Sequence, residues 1–155
     1  MSVNQENLLN DLLVMLFNEI LDVEQKALIT GTFKEISIND MHIIDAIGIG
    51  EPKNMSTVAG EMAVTVGTLT TAINNLVKKG YVKRERGEED RRVVYISLSD
   101  KGKKAFIHHA RFHKEMITSI LDEFDEDEKK ILIRGLTKLD NWFRDKEEEN
   151  KTGRE

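Results

Sequence analysis

Apolar residues recur at spacings of three and four near both ends of the chain. A broad apolar stripe runs through residues 5–30, and two more run through residues 105–121 and 131–143. This spacing is typical of amphipathic helices, so the pattern predicts one long N-terminal helix and two C-terminal helices. Asp100 opens the second of these, and Asp125 with Glu128 resembles a capping box at the start of the third. The first stripe is too wide for a helix with a single neighbour.

Shorter helices are predicted in the centre of the chain. Ser37 or Asn39 is expected to cap a second helix, and Asn54 is expected to cap a third over residues 55–62. Residues 48–53 hold two glycines and a proline, and they form the clearest break in the chain. Residues 63–65 then provide the short turn of a helix-turn-helix.

A fourth helix is predicted over residues 65–79. Thr65 suits the N-cap because its hydroxyl accepts from free amides, and Gly80 suits the stop because glycine enters the left-handed region without penalty. Its buried stripe comprises Leu69, Ala72, Ile73 and Leu76. Its outward face has no carboxylate and comprises Thr68, Thr70, Thr71, Asn74, Asn75 and Lys78. Such groups reach base edges in a major groove, where asparagine suits adenine and the threonine methyl suits thymine.

After Gly80 the apolar period changes to two, which predicts a two-stranded hairpin over residues 81–99. A basic run opens it, and two arginines lie near its tip, where a guanidinium could enter a narrow minor groove. We expect Asp90 to hold the Arg92 side chain extended through a bidentate pair.

The order helix, turn, helix and hairpin, with Asp-Arg-Arg at 90–92 and Leu-Ser-Asp-Lys-Gly at 98–102, resembles the MarR-type winged helix-turn-helix repressors. Within that family, the segments 39–44, 66–70 and 74–80 resemble the FabT-type repressors of fatty-acid biosynthesis. The resemblance implies a mainly α fold with a small β-hairpin wing, assembled as a homodimer. The two-fold symmetry of such a dimer would place its two recognition helices roughly 34 Å apart, about one turn of DNA, and it therefore predicts a palindromic operator.

The resemblance also divides the chain into regions. These are an N-terminal dimerisation helix (1–35), a DNA-binding lobe (36–99, with the recognition helix at 65–79 and the wing at 81–99), a long helix followed by a C-terminal dimerisation helix (100–145) and a charged, frayed tail (146–155). The expected DNA-binding residues of the recognition helix are Thr65, Gly67, Thr68, Thr70, Thr71, Asn74, Asn75, Lys78 and Lys79. Those of the wing are Lys83, Arg84, Arg86, Asp90, Arg91 and Arg92.

The charge distribution supports a DNA partner although the net charge is −5. Residues 1–77 carry 3 basic and 10 acidic side chains, whereas residues 78–104 carry 10 basic and 5 acidic ones. Positive charge is thus concentrated on the hairpin and its flanks, as a phosphate backbone requires. No apolar run is long enough to span a membrane and no signal-peptide pattern is present, so a cytoplasmic location is expected.

The FabT-type resemblance further implies a long-chain acyl group on acyl carrier protein as corepressor, with no cofactor required. Its acyl chain would enter an apolar tunnel, for which the sequence offers Met15, Phe17, Met41, Phe106, Phe112 and Met116. Each of these six residues can equally be an ordinary core residue.

A second interpretation comes from a zinc-sensing branch of the same family. That branch uses a glutamate of the first helix, a histidine of the second and two histidines of the fifth. Here Glu24, His42, His109 and His113 match this pattern, and His109 and His113 share a helix face at i and i+4. The branch also uses a cysteine, and this chain has none.

Two other classes of protein are alternatives. An enzyme is disfavoured because the chain has no nucleophile elbow, no phosphate-cradling glycine loop and no cysteine. A winged-helix adaptor that binds only proteins is the remaining alternative, and it would show no salt-dependent binding to any duplex.

Overall fold

The computed structural model describes residues 3–152, without the side chains of residues 3, 29, 30, 151 and 152. Within this range, the elements follow one another as α1 (Val3–Thr30), α2 (Ile38–Ile47), β1 (Lys53–Asn54), α3 (Met55–Glu61), α4 (Val66–Lys78), β2 (Val82–Arg86), β3 (Val94–Leu98), α5 (Asp100–Asp122) and α6 (Glu126–Thr152). The prediction of a mainly helical chain with a small wing is confirmed. None of the helices in the described range is long and apolar enough to cross a membrane.

Local capping chemistry determines where the central helices begin. Ser37 accepts from the backbone N–H of Asp40, whose carboxylate accepts in return from the N–H of Ser37. Asn54 and Thr65 accept in the same way from residues three positions later, at the starts of α3 and α4. Because a cap satisfies amides that the helix leaves free, short polar residues mark these boundaries in the sequence itself.

The sheet has three antiparallel strands in the order β1, β3, β2, whereas the sequence predicts only two. The additional strand β1 pairs Lys53 with Ile96 and Asn54 with Tyr95. Its two residues come directly after the break at 48–53, and a strand this short has no visible alternation. The wing is therefore anchored to the start of α3 as well as to α4.

The chain forms two compact units, Met1–Phe112 and His113–Glu155. A single core fills the first unit and draws on α2, α3, α4, the sheet and the start of α5. Its fully buried side chains include Met41, Ile44, Val58, Leu69, Ile73, Leu76, Tyr81 and Ile96. The four positions predicted to face inward on the recognition helix are buried or half-buried there, as the helical period requires.

Two glycines set the path of the chain around Tyr81. Gly80 ends the recognition helix with a φ of +83°, in the left-handed region that glycine enters without steric cost. Gly102 lies in the first turn of α5, where an added Cβ would stand 2.1 Å from the backbone oxygen of Tyr81. Ser99 joins the two sites, because its hydroxyl donates to the Gly80 carbonyl and accepts from the Gly102 amide. This packing explains the glycine in the Leu-Ser-Asp-Lys-Gly segment.

The second unit contains the end of α5 and all of α6. Asp125 and Glu128 form the capping box predicted from the sequence, each accepting from the other's backbone N–H. The tail after residue 145 was expected to be frayed, but α6 continues as far as Thr152, and Lys146 pairs with Glu149 at 2.6 Å. Residues 153–155 lie outside the described part of the chain.

Candidate nucleic-acid interface

The outward face of the recognition helix α4 carries the threonines that the sequence predicts. The hydroxyls of Thr70 and Thr71 donate to the backbone carbonyls of Val66 and Gly67, at 2.7 and 3.4 Å. With their donors used inside the helix, these threonines present lone pairs and methyl groups to a ligand. Thr68 is exposed and its hydroxyl bonds to that of the N-cap Thr65 at 2.9 Å. The face therefore offers acceptors and methyl groups suited to base edges.

Asn74, Asn75 and Lys78 are exposed on the same helix. The side-chain oxygen of Asn74 accepts a hydrogen bond from the guanidinium of Arg84, on the first strand of the wing. The recognition helix and the wing thus meet through two polar side chains at the surface, a contact that sequence reasoning missed.

Lys79, expected to bind phosphate, has partners within the protein. Its ammonium donates to the backbone carbonyl of Glu35 at 2.7 Å and lies 3.8 Å from the Asp40 carboxylate. These contacts tie the C-terminal end of the recognition helix to the connection between α1 and α2. Phosphate binding by Lys79 stays a prediction, whereas the exposed side chain of Lys78 has no such internal anchor among the described residues.

Tyr81, Glu35 and Lys101 form a second part of this anchor. The buried Tyr81 hydroxyl donates to the Glu35 carboxylate, and the Lys101 ammonium lies 2.9 Å from that carboxylate and 4.3 Å from the centre of the Tyr81 ring. The hydrogen bonds from Tyr81 and Lys101 lower the pKa of Glu35 to about 2. Burial, followed by the bond to Glu35, raises the pKa of Tyr81 above its ordinary value. Glu35 is therefore an ionised acceptor, and Tyr81 a neutral donor, at physiological pH.

The basic residues of the wing do not share one face. Lys83 and Arg84 are neighbours on β2, so their side chains point to opposite sides of the sheet. Arg84 and Arg86 follow the buried Val82 at intervals of two, on the face that packs towards the recognition helix. All three basic side chains are exposed, and the alternation assigns Arg84 and Arg86 to the side of α4.

The tip of the wing is held by hydrogen bonds within its own turn. Asp90 accepts from the backbone N–H of Arg92 at 2.9 Å, and the Val93 N–H donates to the Asp90 carbonyl at 3.1 Å. The expected ion pair between the side chains of Asp90 and Arg92 is wrong, since none joins them in the described chain. A short carboxylate closes a local turn more readily than it reaches a long, exposed guanidinium. Arg91 and Arg92 are both exposed and face solvent.

A groove of about 420 Å³ lies where the recognition helix, the wing and the start of α3 meet. It brings together Thr70 and the guanidinium-bearing Arg84 and Arg92, three residues that the sequence assigns to DNA. The remaining lining residues are Asn54, Met55, Ser56, Val66, Val93 and Val94. Among the described residues no carboxylate lines the groove, so the surface suits a polyanion. Ser56 was not anticipated, because α3 shows no charge signal.

The six candidate tunnel residues lie in different environments. Met41 is fully buried in the core of the first unit and Phe106 packs against that core, as the alternative interpretation allows. By contrast, Met15 and Phe17 on α1 are 48% and 64% exposed. Phe112 and Met116 on α5 are half-buried. The isolated chain therefore does not place all six in one common environment.

The candidate metal ligands of the first unit lie together. The Glu24 carboxylate, 4% exposed, lies 3.4 Å from Nε2 of His42 and 3.7 Å from Nε2 of His109. Asp45, which sequence reasoning missed, contacts Nδ1 of His109 at 2.6 Å. His113 follows His109 by one turn of α5, as its spacing predicts.

Comparison with known proteins identifies the family. A family model described as transcriptional regulator SarA/Rot matches residues 29–108. FabT from Streptococcus pneumoniae, solved in complex with DNA, is 42% identical with a TM-score of 0.88, over 90% of this chain and 98% of FabT. A MarR family protein from Bacillus stearothermophilus shares the fold, with 19% identity and a TM-score of 0.79 over 93% of this chain and 99% of that one.

The relationship extends to regulators known by sequence. PchR of Bacillus subtilis, an HTH-type transcriptional regulator, is 27% identical over 106 residues. That match covers 66% of this chain and 63% of PchR, so this chain spans less than two thirds of that relative. The family and the relatives are transcriptional regulators and not enzymes. The chain therefore belongs to the SarA/Rot-type branch of the MarR family of winged-helix, DNA-binding transcriptional regulators.

Proposed function

We propose that this regulator represses fatty-acid-biosynthesis genes by binding palindromic operators as a homodimer. The observation that carries the DNA-binding part is the groove where Thr70, Arg84 and Arg92 converge, with no carboxylate among its described lining residues. The fatty-acid part is supported by the 42% identity with FabT along most of both chains. The threonines and asparagines on the outward face of the recognition helix agree with the DNA-binding part.

The homodimer is supported by apolar surface on the terminal helices. On α1, the five leucines Leu8, Leu9, Leu12, Leu13 and Leu16 are 37–58% exposed in the single chain. On α6, the apolar residues Ile131, Ile133, Leu136, Trp142 and Phe143 are 54–60% exposed. Exposed apolar surface of this kind on each of the two helices marks an interface, and a second copy of the chain would cover it.

A single substitution tests the dimer. Leu16→Glu would place a charge in the proposed interface, so the variant should be monomeric by light scattering and should lose operator affinity. Lys26→Glu, on the same helix, replaces a side chain that is 71% exposed, so it is the matched control and should remain dimeric. A wild-type protein that is monomeric and binds half-sites as tightly as full palindromes would contradict the proposal.

The corepressor is a long-chain acyl group carried on acyl carrier protein. Its binding would favour the dimer geometry that fits the operator, with a coupling of about 1–3 kcal/mol. The exposed Met15 and Phe17 of α1 are apolar groups that an acyl chain could contact in the assembled dimer. Acyl carrier protein is acidic, so basic side chains are its expected partners.

The decisive experiment measures binding to a labelled duplex from a fatty-acid-synthesis promoter by fluorescence anisotropy. The protein is titrated alone, with acyl carrier protein lacking an acyl group, and with carriers bearing acyl chains of increasing length. The expected result is binding tighter by about five- to 150-fold with long acyl chains only. An affinity that ignores every acyl carrier would contradict the corepressor, whereas the absence of salt-dependent binding to any duplex would favour the protein-only adaptor.

A second candidate function is zinc-dependent regulation, which the arrangement around Glu24 favours. In a tetrahedral zinc site with bonds of about 2.0–2.1 Å, neighbouring ligand atoms lie about 3.3 Å apart. Two different oxygens of Glu24 lie 3.4 Å from Nε2 of His42 and 3.7 Å from Nε2 of His109, and each distance is close to that separation. Asp45 contacts the opposite nitrogen of His109, and a carboxylate in that position orients the ring of a metal-bound histidine.

Zinc binding can be separated from its consequence for DNA. Zinc should raise the melting temperature of the wild type, and His42→Ala should abolish that rise. His108→Ala is the matched control, because His108 packs edge-on against Phe33 at 5.4 Å between ring centres. If a chelator weakens operator binding, zinc is favoured over acylated acyl carrier protein as the effector. If zinc changes neither the melting temperature nor the affinity for the operator, this second function is wrong.

A further inference from the structure

Arg84 occupies an unusual place on the wing. It follows Val82 by two residues on β2, and both belong to the face whose partners on β3, Leu98 and Ile96, are buried. A hydrophobic residue would extend the core at this position, but Arg84 stands at its rim. From there its guanidinium crosses to the recognition helix and donates to the side-chain oxygen of Asn74.

The chemistry of the pair fixes how the Asn74 amide is turned. A guanidinium has only donors, so the atom of Asn74 that faces it must be the oxygen. The amide nitrogen, with its two hydrogens, then points away from Arg84. The exposed edge of the pair presents the N–H donors of Asn74 beside the remaining donors of Arg84.

This arrangement disfavours the pairing expected from the sequence. Asparagine reads adenine by accepting from the N6 amino group and donating to N7 at the same time. In this structure one of the two lone pairs of the Asn74 oxygen accepts from the Arg84 guanidinium, and this cationic donor would also lie against the amino group of an adenine. Guanine presents two acceptors, N7 and O6, in the major groove and matches an edge made of donors.

We propose that Arg84 and Asn74 act as one reading unit, in which Arg84 turns the Asn74 amide and makes this operator position prefer guanine over adenine. The inference rests on the DNA-binding function of the chain and concerns its base specificity. It assigns to a strand residue a role in the preference of the recognition helix. Both residues are exposed, so their substitution leaves the core intact.

The test begins with selection of bound sequences from a pool of random duplexes by the wild-type protein. Affinities are then measured for paired duplexes that differ only by guanine or adenine at the position read by Asn74. The wild type should favour guanine by about tenfold, the lower part of the range for one good base contact. Arg84→Ala frees the Asn74 oxygen and should shift the preference to adenine at that position alone. Arg84→Lys, which retains a donor, should preserve part of the guanine preference.

Lys83→Ala is the matched control, because Lys83 lies on the same strand with its side chain on the opposite face of the sheet. It should weaken binding to both duplexes by the same factor. If Arg84→Ala also weakens both equally, Arg84 serves only as a cation and the reading unit is wrong. A wild type that prefers adenine would likewise overturn the inference. A wild type that selects no duplex would instead overturn DNA binding, and the inference with it.

Discussion

The Tyr81 hydroxyl donates to the carboxylate of Glu35, 46 positions earlier in the chain. Lys101, at the start of α5, pairs with the same carboxylate, and Lys79 donates to the backbone carbonyl of Glu35. Three side chains, two from the end of the recognition helix and one from the start of α5, therefore converge on one residue of the α1–α2 connection. These contacts hold the C-terminal end of the recognition helix against the α1–α2 connection.

Acid should remove the contribution that this anchor makes to stability. The pKa of Glu35 is lowered from 4.5 to about 2, so its contribution to stability is complete above pH 4.5 and is lost as the pH falls towards 2. Urea unfolding followed by circular dichroism between pH values of about 6 and 3 should show less pH dependence for Glu35→Gln than for the wild type. Glu89→Gln, in the exposed turn of the wing, is the control. Its free energy of unfolding should depend on pH as the wild type's does. Equal slopes for Glu35→Gln and the wild type would contradict the anchor.

The close approach at Gly102 predicts a large loss of stability on addition of one methyl group. In Gly102→Ala, the Cβ would lie 2.1 Å from the Tyr81 oxygen, so the backbone of α5 would have to move. We expect a loss of about 2 kcal/mol or more in the free energy of unfolding. Gly60→Ala, in α3 with open space around its Cβ, should instead gain about 0.5–1 kcal/mol. If Gly102→Ala has the same free energy of unfolding as the wild type, then the backbone at Tyr81 leaves room for a methyl group at position 102.

Substitutions of the neighbouring Lys78 and Lys79 should have different effects on DNA binding and on stability. The Lys78 ammonium is expected to neutralise one phosphate, so Lys78→Ala should reduce the slope of log affinity against log salt by about one. Lys79→Ala should lower the urea midpoint because it removes the hydrogen bond to the Glu35 carbonyl, and because that bond holds the ammonium inside the protein, it should change the salt slope less than Lys78→Ala does. If the slope falls in Lys79→Ala as well, then Lys79 turns to a phosphate in the complex.

The turn at the tip of the wing should depend on an acceptor at position 90. Asp90→Asn keeps an oxygen for the Arg92 amide and removes the charge, whereas Asp90→Ala removes both. In anisotropy titrations at several salt concentrations, the alanine variant should bind operator more weakly than the asparagine variant, with the same salt slope. Arg92→Ala should lower both the affinity and the slope, because it removes a guanidinium. Equal affinities for the two Asp90 variants would show that the turn is ordered without this bond.

The sequence alone determines the helices of this protein, the wing hairpin and several of their ends, although it shows neither the short strand β1 nor the full length of α6. The helical period through Leu69, Ile73 and Leu76 predicts the buried side of the recognition helix, and Thr65 and Gly80 mark its boundaries. These features are recognisable because each depends on residues within one or two turns of one another. The family resemblance then follows from the order of the elements and from the wing segment.

Only the tertiary structure decides which distant polar groups become partners. The sequence places Arg84 in a basic run and Asn74 on an outward face, but their contact depends on how β2 packs against α4. The same holds for Glu35, which is one carboxylate in a loop until Tyr81 and Lys101 reach it. Such contacts leave no period in the sequence, because they form between elements whose relative positions are set by burial of the shared core.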